Sequence, residues 1–341
     1  MAAMDVFNGD AFTLQSLTTA INSTEYEPMF MQSLGIFTPN PIRTDKFSIE
    51  SRDGVLSLIQ TSERGAPLDQ RTTEKRTIRD FRTRRIAKGD TVRADEIQGI
   101  RAFGTENELM AVESEIMRRM NGPVGLMADV RLTWENMMLG AVQGIVSDAD
   151  ASVLYNWFTE LGVTQPAEVD FDLDNANPAS GAIRKKCTAV VRAILKAMKG
   201  LPAPREIVGL CGDNFFDDFT ASAEVRATYL NQQAAAELRG GLAYESVRYG
   251  GINHINYRGT DDGSTVAIGT DKCKYFPVSP GAFEMALSPM ESFEYANTPG
   301  LPMYAMIVRD LERNMWVKPE VYSYPMFYPT RPLTLQSARR T

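Results

Sequence analysis

Apolar and polar residues alternate along FSIESRDGVLSLI, from Phe47 to Ile59. Successive side chains of a strand point to opposite faces, so this alternation reads as β structure. Asp53-Gly54 lies at its centre, a dipeptide suited to a two-residue turn whose central residues both take positive φ. The pattern therefore predicts a hairpin in which Ile49 faces Leu58 and Ser51 faces Leu56, with Phe47 on the same apolar side. Glu50, Arg52 and Ser57 fall on the other side. A lone hairpin is marginal in water, so this one is expected to rest on something else.

Period-3.6 patterns follow. Thr105 and Glu108 have capping-box spacing, and Leu109, Val112, Ile116, Met117 and Met120 recur at helical intervals. Asn121-Gly122-Pro123 interrupts, and the stripe resumes with Met127, Val130, Trp134, Met137, Met138, Ala141 and Ile145. Unbroken, about 40 residues would span roughly 60 Å; the Gly-Pro pair predicts a kink or stagger. A second clear stripe, Ile183, Cys187, Val190, Val191, Ile194 and Met198, ends at Gly200 and Pro202. Ile207 to Cys211 reads as a buried strand, followed by a helix capped by Asp213 and holding Phe215, Phe216 and Phe219. A further helix is expected to run to about Arg239.

Strands are expected at 152–161, 169–174, 244–249, 252–258 and 265–269, and short or edge strands near the end, such as 320–328, among Pro319, Pro325, Pro329 and Pro332. Near the N-terminus only a brief helix, about Thr13 to Ile21, is visible. Pro28, Pro39 and Pro41 then suggest an extended arm that a neighbour would order. From about residue 180 the order of elements describes a small α+β domain.

Composition narrows the function. The chain has 341 residues, 43% hydrophobic and 23% charged, which is ordinary for a globular protein with a sizeable core. Its net charge of −7 argues against nucleic-acid binding as the main task. The charge is uneven: Arg71 to Arg93 holds nine Lys or Arg against three acids, a local +6 that leaves −13 for the rest. This tract shows almost no apolar periodicity. It reads either as a solvated loop or as a flexible loop lying across the acidic surface of another copy; RNA binding is a weaker third reading, since only Phe81 interleaves usefully. No apolar run approaches the roughly 20 residues of a membrane span, and no secretory leader is visible. Cys187, Cys211 and Cys273 are odd in number and far apart in sequence, and read as reduced buried thiols.

Familiar catalytic patterns fail. His254 is the single histidine and offers no second ligand for a metal site. Asp170, Asp172 and Asp174 imitate the start of a calcium loop, yet Asn175 stands where that loop needs Gly and Gly181 where it needs Glu. No Walker A, G-x-G-x-x-G or G-x-S-x-G run is present. The expectation is no catalytic residue, no cofactor and no metal.

Four stretches carry a resemblance: LTTAIN at Leu17–Asn22, IESRDGVLSLI at Ile49–Ile59, DEIQGIRAFG at Asp95–Gly104, and MMLGAVQGIVSDADASVLYNWFTELGV at Met137–Val163. With the order of elements, they make the chain resemble, over nearly its whole length, the major capsid protein family of phage lambda and its relatives, the E-type head proteins. The resemblance implies the tailed-phage coat fold of the Hong Kong 97 type. It implies an N-terminal arm at 1–42, an extended E-loop at 43–94, a peripheral domain with a long spine helix at 95–179 and 316–341, and an axial domain at 180–315. It implies self-assembly into hexamers and pentamers of an icosahedral head enclosing double-stranded DNA without specific binding. The expected partners are a separate scaffold protein and a portal protein, with a decoration or cement protein left open. Contacts between copies are expected at Phe47, Ile49, Leu56, Leu58, Arg79, Arg82, Arg84 and Arg85. Lys46, Lys75 and Lys88 lie in the loop region but read as solvated lysines, with nothing to support a Lys–Asn crosslink. Two alternatives stay open: a shell protein of the encapsulin kind, and a soluble enzyme with a non-local active site.

Overall fold

The computed structural model describes residues 30–53, 75–96, 108–122, 125–175, 179–230, 246–257, 259–260 and 266–341. The predicted helix at 13–21 and the residues Leu56, Leu58 and Thr105 lie outside them.

The long helical stripe divides where the Gly-Pro pair predicts. One helix runs Glu108–Asn121 and the next Leu126–Gln143. Gly144 ends the second in the left-handed conformation at φ 84°, with Phe158 packed where a side chain would project. The second helix is buried on nearly every side: Met127, Val130, Trp134, Met137, Met138, Ala141 and Val142 all enter the main core. In the first helix Ile116 and Met120 are buried, whereas Met117 faces solvent, contrary to its place in the predicted stripe. Ile145 is likewise no longer helical but opens a short strand, Ile145–Ser147.

A six-stranded mixed sheet forms the second half of the body. Its order is Ser246–Tyr249, Ile252–Asn256, Glu206–Cys211, Lys272–Val278, Gln336–Arg339 and Val169–Asp170. Glu206–Cys211 is apolar almost throughout because both of its faces are covered. Val208 and Leu210 join the main core with Ile255, Tyr257 and Phe276. Ile207 and Cys211 face the other way, into a second core formed with the helices Ala182–Ala197 and Asp213–Ala221. The stripe Ile183, Cys187, Val190 and Ile194 supplies that second core as predicted. Gly212, not Asp213, takes the N-cap position of the phenylalanine-rich helix. The next helix is described over Ala223–Leu230.

Several expected elements take a different form. The strand at 152–161 is cut to Val153–Asn156. Asn156 Oδ1 accepts the N–H groups of Phe158 and Thr159, at 3.1 and 3.4 Å, and so starts the short helix Trp157–Glu160. Residues 266–269 are not a strand. Trp316–Ser323 is eight residues long and central, between Tyr304–Arg309 and Ile86–Gly89. Pro319 is tolerated there because it falls where pairing with Ile86–Gly89 has ended and pairing with Val92–Arg93 has not begun.

Part of the N-terminal arm belongs to the chain's own fold. Met31 is fully buried, and Phe37–Pro41 pairs in parallel with Phe283–Leu287 as an edge strand, a position that accepts Pro39 and Pro41. The expectation that a neighbour orders this segment therefore fails for these residues. The sheets also cut across the division expected at 180–315. Phe283–Leu287 pairs with Phe37–Pro41 and Pro325–Pro329, while Gln336–Arg339 pairs with Lys272–Val278.

Candidate assembly surface

The alternating segment at Phe47 does form a strand, Lys46–Asp53, but its partner is Lys75–Arg82. Ile49 stands opposite Arg79, not Leu58, and Ser51 opposite Thr77, not Leu56. The pairing continues to Asp53, which faces Lys75. A short-range turn signal thus gives way to a longer ribbon, and the basic tract predicted as a loop supplies a strand. It also supplies Ile86–Gly89 and Val92–Arg93, both paired with Trp316–Ser323.

Aromatic rings hold the root of the ribbon. Phe47 and Phe81 sit opposite each other with ring centroids 5.7 Å apart. Phe47 stacks on Tyr328 at 5.0 Å, and Phe81 presents its ring to Trp157 at 5.2 Å and Tyr155 at 5.8 Å. Each such pair adds roughly 0.5–1.5 kcal/mol beyond the area it buries. Further out this support ends: Ile78, on the face opposite to Phe47 and Phe81, is 63% exposed. The ribbon is welded at one end and uncovered along its outward face.

The residues expected to contact other copies cluster at this root. Phe47 is buried and Ile49 packs against the main core. The Arg79 guanidinium donates to the carbonyl oxygen of Glu160. Arg82 lies 3.9 Å from Asp45, both largely exposed, so the pair contributes little. Arg84 lies over the Tyr155 ring at 5.3 Å and Arg85 over the Tyr322 ring at 5.2 Å. All six touch the chain's own fold.

Two polar devices that the sequence reading missed fix the neighbouring elements. The first grips the turn between Ile86–Gly89 and Val92–Arg93. Arg119 donates to Asp90 at 3.2 Å, to the Thr91 carbonyl at 3.0 Å, to Glu115 at 2.9 Å, and to Glu96. Hydrogen bonds from Arg118, then Arg119, hold the Glu115 carboxyl at a pKa of about 2 against the opposing effect of burial. The Glu115–Arg119 spacing of four was the one signal available for it. A cleft of about 510 Å³ adjoins this network, lined by Lys88, Asp90, Arg118, Arg119, Leu126 and Asp129. Its cations already have carboxylate partners, Lys88 with Asp129 at 2.5 Å and Arg118 with Glu115 at 2.6 Å. The second device is Glu135, buried in the long helix, which accepts hydrogen bonds from Met31 N–H and the Tyr257 hydroxyl.

The single histidine and the three cysteines are all buried. His254 is wholly buried against Phe219, ring centroids 4.2 Å apart, and desolvation drives its pKa down to about 3. Cys211 and Cys273 face each other across paired strands, with Sγ atoms 3.1 Å apart, and all three cysteines are buried and free. Burial pushes the Cys187 thiol up to about 12 and that of Cys211 well above its ordinary value, the opposite of an activated nucleophile. Among the described residues no group of three or more His, Cys, Asp or Glu is placed to hold a metal ion. No helix among them is long and apolar enough to cross a membrane.

The overall fold is that of tailed-phage coat proteins, and three solved shells carry it. The chain superposes with a TM-score of 0.53 on a subunit of the bacteriophage PhiM1 mature capsid, at 11% identity, covering 94% of this chain and 89% of that one. The cyanophage P-SCSP1u capsid gives 0.54 at 11% identity, covering 94% and 90%. The capsid of a native GTA particle gives 0.54 at 11% identity, covering 93% of both chains. The particular family follows from sequence: the profile of phage major capsid protein E matches residues 13–340, and the chain belongs to that family. It is 25% identical to the major capsid protein of Salmonella phage Felix O1 (isolate Felix O1-VT1), over 96% of each chain. It is also 25% identical to that of Pseudomonas phage KPP10, over 83% of this chain and 88% of the relative.

Proposed function

We propose that this chain is the coat subunit of a phage head, assembling with itself into hexamers and pentamers of an icosahedral shell that encloses double-stranded DNA. The observation that carries this reading is the ribbon Lys46–Asp53/Lys75–Arg82. Eight residue pairs form it, its root is fixed by Phe47 and Phe81, and Ile78 on its outward face is uncovered. A two-stranded ribbon is marginal by itself, and a neighbouring subunit would cover it. Heterologous contacts of this kind close into rings. In this reading 43–94 is the E-loop and the broken helix 108–143 the spine of the peripheral domain. The part of the six-stranded sheet's unit that falls within 180–315 lies toward the symmetry axes. A separate scaffold protein directs closure, a portal protein occupies one vertex, and the finished product is the virion, assembled in the host cytoplasm. The role is structural, with no catalytic step.

The test is negative-stain electron microscopy of the expressed chain, alone and with a scaffold protein. Closed shells, tubes or hexameric sheets are the expected result. A uniform small oligomer under both conditions overturns the reading.

A further inference from the structure

The helix Ala182–Ala197 carries a charge pattern that the fold leaves unanswered. From Ala182 to Lys199 there are six cations and no acid. At 100° per residue, Arg184, Lys185, Arg192 and Lys196 fall within roughly 120° of arc on the side away from Cys187, Val190 and Ile194. All four are exposed. None makes an ion pair with an acidic side chain among the described residues. Arg192 and Lys196 are four apart, so like charges stand side by side on one face, an arrangement that destabilises a helix. Leu195 lies in the same stripe and is 50% exposed.

The next helix, Asp213–Ala221, shows the opposite pattern. Asp213 and Asp217, also four apart, are exposed, and neither has a basic partner among the described residues. The third acid of this helix, Asp218, is matched by Arg340. Both helices pack on the same face of the six-stranded sheet, through Cys187 and Ile194 on one and Phe215 and Phe219 on the other. One unit of the chain therefore presents a cationic ridge and an anionic ridge, each incomplete alone.

We infer that the Arg192/Lys196 face of one copy docks on the Asp213/Asp217 face of the next, forming a head-to-tail charge contact within each ring of subunits. The inference rests on the coat reading and names the surfaces that close its rings. Two observations favour a second copy over the DNA backbone as the occupant. The complementary acidic pair is built into the same chain. The stripe also contains the exposed Leu195, an apolar group suited to a protein surface and not to phosphates. A head-to-tail contact uses two different patches, one from each copy, as a closed ring requires.

Three versions of the full chain test it: wild type, Arg192→Glu/Lys196→Glu, and that variant combined with Asp213→Lys/Asp217→Lys. Shell yield is read by sedimentation and electron microscopy, and folding of the unassembled subunit by circular dichroism and thermal unfolding. The expected result is at least a tenfold loss of shells in the double variant, with the subunit still folded, and recovery of shells in the quadruple variant. Wild-type shell yield in the double variant overturns the inference, and a fall in DNA content of those shells would assign the ridge to DNA instead. Loss of shells that the quadruple variant does not recover also overturns the pairing. If the wild type forms no shells with scaffold present, the coat reading itself fails.

Discussion

Met31 donates its backbone N–H to both carboxylate oxygens of Glu135, at 3.0 and 3.2 Å, inside the core and 104 residues away along the chain. The Tyr257 hydroxyl donates to the same carboxylate at 2.9 Å. One buried side chain thus ties the N-terminal segment and a strand end to the long helix. Glu135→Ala leaves two buried donors without an acceptor and should cost about 1–3 kcal/mol. Glu135→Gln, which keeps an acceptor at Oε1, should cost less. Denaturant unfolding measures both, and limited proteolysis near residue 30 reports release of the segment.

The same carboxylate predicts a pH effect. Burial raises its pKa, with the bonds from Met31 and Tyr257 acting the other way. A raised acid pKa means that the folded state holds the proton more tightly than the unfolded state. Its contribution is therefore present at low pH and lost as pH rises through the raised value. Glu135→Gln does not titrate, so its stability relative to wild type should improve as pH rises above the ordinary carboxyl value of 4.5. A constant difference over that range would count against the assignment.

His254 acts in the opposite direction. Its pKa falls from 6.5 to about 3 on burial, so the unfolded chain takes up a proton that the folded chain refuses. Stability present above pH 6.5 should be lost as pH falls, by about 1.4 kcal/mol per pH unit within that window. Glu115, held at about 2, adds its own loss only below about 4.5. His254→Phe should flatten the stability profile between pH 6.5 and 4.5 and leave the steeper acid limb intact.

Arg119 joins the turn at Asp90 and Thr91 to Glu96 and Glu115. Arg119→Ala removes one of the two guanidinium partners of the Glu115 carboxylate, Arg118 remaining, and leaves Glu96 and the Asp90 turn without theirs, so it should cost about 1.5–3 kcal/mol. Arg119→Lys should recover a minor part, because an ammonium cannot reproduce the forked set of bonds. Hydrogen exchange at Asp90 N–H, which donates to the Pro319 carbonyl at 3.0 Å, should quicken in both variants.

Gly209 lies against the Tyr275 ring, where an added Cβ would meet Cε1 at 2.6 Å. The strand is enclosed on both faces, so the ring has little room to retreat. Gly209→Ala should cost about 1–3 kcal/mol by overpacking, visible as a lower unfolding midpoint.

Elements set by local rules could be read from the chain. The break at Asn121-Gly122-Pro123, the stripe from Ile183 to Ile194, and the strand ending at Cys211 each follow from a few adjacent residues. Elements set by distant partners could not. The Asp53-Gly54 signal names the nearest partner for Phe47–Asp53, while the actual partner begins at Lys75 and shows no apolar alternation, because Phe81 alone among residues 77–82 is buried. Pro319 hid a central strand, since its missing N–H matters only if a neighbour needs it, and here the neighbour has a gap. Of the eight residues expected at contacts between copies, Phe47 and Arg79 could not be assigned from type alone. A phenylalanine at the root of a ribbon and one at its tip look the same in sequence.

The strand Glu206–Cys211 sends Val208 and Leu210 into one core and Ile207 and Cys211 into the other. No flexible tether separates the two halves at this point; they share a wall. A push on the helices at Ile194 or Phe219 would therefore pass through this wall into the core that holds the long helix. In an assembled shell, shape change would have to come from subunits turning against one another and from the ribbon at its root, with the shared wall keeping each block rigid.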